Sequence, residues 1–183
     1  MGADKNFLQV DGEPMLSRAC RVCMEVAPTW VVGRSDQLMP ELHGASRLAD
    51  AEYGELGGPL VGIATGLTEL GRRGAKFALV CAGDDVAFGA AALRARVLAL
   101  RASDPDCAGV CVEAQGRAQP LASAVRVELA GARAQALLEA GEARARIWAE
   151  DFEALMGERY GEVRDLDTPA DVEARAKSSS ERS

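Results

Sequence analysis

The sequence predicts an α/β fold: a three-layer α/β/α sandwich around one mostly parallel sheet. Three observations carry this. Apolar runs of four to six residues recur along the chain, separated by longer stretches whose apolar residues fall at helical spacing. Such runs fit strands buried on both faces, and alternation with helices favours parallel pairing. Aromatic residues are only 4% of a chain that is 48% apolar, so the core must be built from Ala, Val and Leu. At 183 residues the chain fits one domain with an independent core, expected over residues 1–176, with a polar tail at 177–183.

The elements follow in order. Met15 to Val26 has a helical pattern. Thr29-Trp30-Val31-Val32-Gly33 reads as a buried strand ending at a glycine. Pro59 to Leu70 is helical after a Gly57-Gly58 entry, with proline at the first turn, where its missing N–H costs nothing. Lys76 to Cys81 is a second strand, followed by the acidic turn Gly83-Asp84-Asp85. Ala90 to Leu100 is helical, Ala108 to Val112 a third strand, and Leu129 to Ala145 another helix. Thr168 to Ala176 forms a last helix with Pro169 in its first turn.

Charge and cysteine usage narrow the function. A net charge of −7 leaves no basic face for a phosphate backbone, which argues against nucleic acid as a partner. Nucleotide binding stays open, since it needs only one or two cations and a metal. Apolar stretches fall short of a membrane span, and the expected location is cytoplasmic. The five cysteines, Cys20, Cys23, Cys81, Cys107 and Cys111, form an odd set of free thiols. Cys20-x-x-Cys23 has metal or redox spacing, but it lies in a helical pattern with only His43 as a further histidine ligand. Burial is the expected role of these thiols.

Ligands of open α/β sheets bind outside the carboxyl ends of the strands, and four clusters fall there. Asp4-Lys5 offers a cation for a triphosphate, or a solvated charge pair. Gly33-Arg34-Ser35-Asp36 follows the first strand and offers either contacts to a base or a helix cap. Asp50 stands ahead of Gly57-Gly58-Pro59-Leu60-Val61-Gly62-Ile63, where glycines bring free N–H groups at a helix start close to a ligand. Asp84-Asp85 follows the second strand, and carboxylates there can hold Mg²⁺ against phosphates.

Taken together, the motifs resemble a known family. Met1-Gly2-x-Asp4-Lys5 with Gly12-Glu13-Pro14-Met15 resembles the M-G-x-D-K … G-x-P-L signature of the MobA-type nucleotidyltransferases. Gly58 to Ile63 resembles its G-P-L-A-G-I segment. Asp85-Val86-Ala87-Phe88 resembles the end of its C-D-x-P-F segment, with Ala87 in place of proline and Asp84 in place of cysteine. Gln119-Pro120-Leu121 is similar to its Q-P-L. Asp165-Leu166-Asp167-Thr168-Pro169-Ala170-Asp171 is similar to N-x-N-T-P-E-D, with both asparagines replaced by aspartate, a form common in cytidylyltransferase relatives.

The resemblance implies a nucleotide-diphospho-sugar-transferase-like, Rossmann-like fold. It also implies transfer of GMP from GTP to the phosphate of molybdopterin, with release of pyrophosphate. Lys5 and Asp85 would be catalytic. Lys5, Arg34, Asp50, Gly58, Pro59 and Asp85 would hold the nucleotide, with Asp50 selecting guanine. Mg²⁺ would sit at Asp85, with Asp84 as a further ligand. Molybdoenzymes or their chaperones are further expected partners, and the state is a monomer or weak oligomer. Alternatives are a cytidylyltransferase, another MobA-like nucleotidyltransferase, or a non-catalytic molybdopterin-binding relative. The family's opening strand and Gly-rich loop are not among the 183 residues. The resemblance implies them ahead of Met1, or else a paralogue that has lost transfer. Without that strand, its neighbours lose a central partner and an apolar groove opens.

Overall fold

The computed structural model describes residues 7–50, 56–85 and 88–161. The expected helix at 168–176 and the Asp165–Asp171 motif lie outside them. The chain opens on a hairpin, β1 (Gln9–Val10) and β2 (Glu13–Pro14), closed by Asp11-Gly12. Both turn residues take positive φ, 54° and 82°, the geometry that lets a two-residue loop match strand twist. Helix α1 (Met15–Met24) follows at once. Glu13 ties the two together: its carboxylate accepts from Arg21 at 3.0 Å and meets His43 Nε2 at 3.0 Å. The Arg21 guanidinium, with help from His43, holds the Glu13 carboxyl below its usual range.

Strand β3 (Trp30–Gly33) pairs in parallel with β4 (Ser46–Ala49) as a separate two-stranded sheet. Helix α2 (Pro59–Arg72) begins at Gly58, whose φ of +105° favours glycine, and carries Pro59 at its first position. It ends in a Schellman motif: Gly74 N–H reaches Gly71 O at 2.9 Å and Ala75 N–H reaches Leu70 O at 3.0 Å. Then come β5 (Phe77–Cys81), α3 (Ala90–Ala102), β6 (Gly109–Ala114), β7 (Arg117–Arg126), α4 (Val127–Glu139), α5 (Ala145–Trp148) and β8 (Glu153–Leu155). A 3-10 turn, Glu158–Tyr160, closes the described chain.

The larger sheet runs β5-β7-β6-β8 and is mixed: β7 is antiparallel to both neighbours, while β6 and β8 are parallel. Alternation along the strands sorts the core into two faces. Ala78, Val80, Cys111 and Val125 pack with α2, α4 and α5, including Leu60, Leu67, Ala130 and Trp148. Phe77, Leu79, Val110, Val112 and Ala124 pack on the other side with Leu100 and Ala95 of α3 and with Tyr160. Helices on both faces of a central sheet make the three layers expected from sequence.

Among the elements that differ from expectation, α4 and β7 show why. The predicted helix 129–145 stops at Glu139, because Gly141 takes φ +80° and a second Schellman motif forms. Its bonds are Gly141 N–H to Leu138 O at 3.0 Å and Glu142 N–H to Leu137 O at 2.8 Å. Only the short α5 resumes beyond it. The ten-residue β7 is not expected as a strand from sequence, although it is the best-paired one in the sheet. Its Pro120 is tolerated because the β6–β7 register shifts there: Cys111 faces Ser123, but the next residue, Val112, faces Gln119. Ser123 Oγ donates to Pro120 O at 2.8 Å across the irregularity.

Candidate functional site

Two adjoining cavities share Ala82 and Leu121 in their walls. The larger, about 800 Å³, is lined by β3, β5 and residues of α1, α2 and α3. One part of its wall is polar. There Asp50, Gln37, Gly58, Pro59 and Gly62 come together from three separate segments. Asp50 follows β4 and is held by its own N–H donating to Gly33 O at 3.0 Å. Its Oδ1 is buried and has no hydrogen-bond partner among the described residues. That atom would lie 3.3 Å from a Cβ at Gly62, so glycine lets the helix come up against the carboxylate. Burial alone raises the Asp50 carboxyl above its ordinary value.

The smaller cavity, about 310 Å³, is lined by Asp84, Asp85, Gln119, Pro120, Ala145 and Arg146 besides the shared residues. Asp85 is 2% exposed, whereas Asp84 is half-buried. Two adjacent carboxylates on one cavity wall suit Mg²⁺, which takes one or two carboxylates and completes its octahedron with water and phosphate oxygens. No cluster of three or more His, Cys, Asp or Glu side chains with metal-ligand placement occurs among the described residues. An all-protein metal cage is therefore not formed by them.

Each expected site residue has a definite standing. Asp50, Gly58 and Pro59 share one wall, and Asp84 and Asp85 share the adjoining cavity. Arg34 lines neither of these walls; its side chain is 76% exposed and pairs with Asp36 at 3.5 Å. What shapes its loop is Arg47, whose Nη2 lies 2.8 Å from the carbonyls of Arg34, Ser35 and Gln37. Lys5 lies outside the described residues. Sequence reasoning missed Gln37, which reaches back over Gly33 into the larger cavity, where a Cβ would come within 2.7 Å of its Oε1. It also missed Arg146, which helical spacing leaves just past the end of a long helix. An arginine beside a strand-end aspartate pair is a signal only once α5 is known to turn back.

The thiols follow the expectation of burial in part. Cys20 and Cys111 are buried, and burial pushes each thiol up to about 11. Cys23 and Cys81 are half-buried and pack against the same cluster of α1 and α3 residues.

The MobA-like NTP transferase domain, as a family, matches residues 1–154. The chain belongs to that family. Among solved structures, molybdopterin-guanine dinucleotide biosynthesis protein A from Archaeoglobus fulgidus superposes with a TM-score of 0.72 at 14% identity. The match covers 98% of this chain and 92% of that one. The 2-C-methyl-D-erythritol 4-phosphate cytidylyltransferase from Thermus thermophilus gives 0.64 at 18% identity, covering 94% of each. A CMP:2-keto-3-deoxy-manno-octonic acid synthetase complexed with CTP gives 0.62 at 16% identity, covering 97% of this chain and 92% of that one. At these identities the likeness speaks for the fold alone. No curated protein matches the sequence. No helix among the described residues is long and apolar enough to cross a membrane.

Proposed function

We propose that this MobA-like NTP transferase moves GMP from GTP to the phosphate of molybdopterin, forming a guanine dinucleotide cofactor and pyrophosphate. The observation that carries the reading is Asp50. A buried carboxylate oxygen without a partner among the described residues, set beside the start of α2, is a receptor waiting for donors. Guanine presents a ring N–H and an exocyclic amine side by side, a pair that one carboxylate can accept. The Gln37 amide and the backbone at the α2 start, where Pro59 carries no N–H and Val61 N–H donates to Gly58 O at 3.2 Å, stand beside it for the rest of the base.

In the adjoining cavity Asp84 and Asp85 would hold Mg²⁺, which when bound neutralises triphosphate charge. Arg146 and Gln119 share that cavity, and in this reading they would orient the acceptor phosphate. Lys5 takes the leaving pyrophosphate in this reading. No protein nucleophile is required, because positioning and charge neutralisation carry such transfers.

Thermal unfolding with Mg·GTP and Mg·CTP tests the assignment. Saturating Mg·GTP, at about 100 times its Kd, stabilises by about 2.7 kcal/mol and raises Tm by several degrees, with Mg·CTP giving less. Cytidylyl transfer is the second reading, favoured by the two structures of the same fold that are named for cytidine nucleotides. A larger shift with CTP selects it and removes Asp50 as a guanine reader. No shift with either nucleotide points to a non-catalytic relative.

A further inference from the structure

Two cysteines that the transfer reading leaves unused meet where α1 packs on the larger sheet. On α1, Ala19, Val22, Cys23 and Val26 fall at helical spacing and share one face. On β5, strand alternation puts Leu79 and Cys81 on one side. Both sets pack with Phe88 and Leu93 in a single cluster, and there the Cys23 and Cys81 thiols share a hydrogen bond. Both cysteines also line the larger cavity, whose lining includes Leu98 at 63% exposure, so a small solute reaches them. Beside the pair stands a buried cation, Arg96 of α3. Its Nε donates to Tyr160 O at 2.9 Å, while Nη1 and Nη2 have no hydrogen-bond partner among the described residues. The groups whose negative charge acts on it are Cys81, Asp85 and Cys23. A buried guanidinium favours an anion close by, and a thiolate is one. The hydrogen bond from Cys81, with help from Arg96, holds the Cys23 thiol below its ordinary value in spite of its burial. The same hydrogen bond, followed by burial, holds Cys81 well above its own.

We propose that Cys23 and Cys81 form a reversible dithiol–disulfide site whose oxidant is a small hydroperoxide. Cys23 attacks as the thiolate: its sulfur bonds to the terminal peroxide oxygen, the O–O bond breaks, and the leaving oxygen departs as water or an alcohol with the proton that Cys23 gave up. Cys81 then attacks the sulfenic sulfur of Cys23. The S–S bond forms, the S–O bond breaks, and hydroxide leaves as water with the Cys81 proton. Two thiols are oxidised by two electrons and one peroxide is reduced. Once Cys23 is a neutral sulfenic acid, its charge no longer holds the Cys81 proton in place, which eases the second step. A thiol reductant reverses the change by exchange. Cys20 has redox spacing from Cys23, but the hydrogen bond of Cys23 goes to Cys81 instead. A Cys20–Cys23 bond would lie within one turn of α1, whereas a Cys23–Cys81 bond ties α1 to the last residue of β5, just ahead of the Asp84-Asp85 turn. Among the described residues no third metal-ligating side chain joins the pair, so a disulfide suits it better than a metal.

The test is timed oxidation of the purified protein by hydrogen peroxide, followed by alkylation of the remaining thiols and peptide mass mapping. The expected result is a fall in alkylatable thiols from five to three, a mass lower by two hydrogens, and a linked Cys23–Cys81 peptide. Dithiothreitol should restore all five. In Cys81→Ser the sulfenic acid has no resolving thiol, so dimedone should capture Cys23 at least about tenfold faster than any other cysteine. Cys20→Ser should leave the bond unchanged. A bond between Cys20 and Cys23, a bond between two chains, or first oxidation at any cysteine other than Cys23 overturns the proposal. So does a thiol count that stays at five under peroxide that oxidises free cysteine. None of these readouts involves nucleotide, so this inference and the guanylyl-transfer reading fail separately.

Discussion

Asp50 has one oxygen buried without a hydrogen-bond partner among the described residues, and desolvation raises its carboxyl. The sign of the consequence is fixed. An acid whose pKa is higher in the folded state binds its proton more tightly there, so ionising it costs stability. Below the ordinary carboxylate value both states are protonated and nothing is lost. As pH rises from that value through the raised one, stability falls, and above it the full cost stands. Asp50→Asn keeps the shape and removes the charge. We expect it to flatten the pH dependence of Tm in that window and to raise Tm at pH 7. The same substitution should weaken GTP binding by about 30-fold, because about 2 kcal/mol of charged hydrogen bonding is lost. A variant with higher Tm and unchanged GTP affinity would remove Asp50 from base recognition. Of the two aspartates in the adjoining cavity, Asp85 is the buried one, poised to bind with little reorganisation. Asp85→Asn is expected to lower turnover by at least about 100-fold, and Asp84→Asn by less. Pyrophosphate release measures both, and the reverse order would make Asp84 the principal ligand.

Strand β6 shows how tightly neighbouring elements are fitted. A Cβ at Gly109 would lie 2.8 Å from Phe152 Cε2 and 2.9 Å from Val125 Cγ1. Phe152 packs edge-on against Trp148 with ring centroids 4.7 Å apart, and Trp148 Nε1 donates to Ala130 O at 2.9 Å. The ring therefore has little room to retreat, and Gly109→Ala should cost about 1–3 kcal/mol, read from the denaturation midpoint. The helices and the apolar strands are legible in the sequence because their periodicity is local. Expected starts at Met15, Pro59 and Ala90 match α1, α2 and α3. β7 is not legible. It opens at Gln115-Gly116, a two-residue turn with both φ positive, but glutamine is not a residue whose chemistry announces such a turn. Its Pro120 reads as a breaker until the register shift that accommodates it is seen. β4 is hidden for a different reason. Ser46, Arg47 and Ala49 are exposed, so no apolar run marks an edge strand there. For the site, Asp50 and the Asp84-Asp85 pair can be named from position alone. Gln37 and Arg146 cannot, since each reaches its cavity through a loop or turn that spacing does not encode.

The division of the sheet governs how the whole molecule opens. β7 is paired along both edges, to β5 and to β6, and its Ala124 and Val125 are fully buried. Among the described residues β3 pairs only with the exposed β4 and meets the rest of the molecule largely through α2, where Val32 Cγ2 would lie 3.3 Å from a Cβ at Gly66. Local openings follow such differences in pairing and packing, and their free energies range from near zero up to that of global unfolding. Amide hydrogens of β7 should therefore exchange only by global unfolding of the 183-residue chain. Those of Val31 and Val32 should exchange through a smaller opening that frees β3 and β4 while β5 to β8 stay folded. A gap of at least about 1.4 kcal/mol, a tenfold difference in protection, is expected between the two sets. Hydrogen exchange of the 183-residue chain measures it by peptide mass. Equal protection in β3 and β7 would mean that α2 and α1 couple the two sheets into one cooperative unit. The candidate site spans both units, with Asp50 after β4 on one side and the Asp84-Asp85 turn after β5 on the other, so an opening of β3 and β4 alone would part its walls.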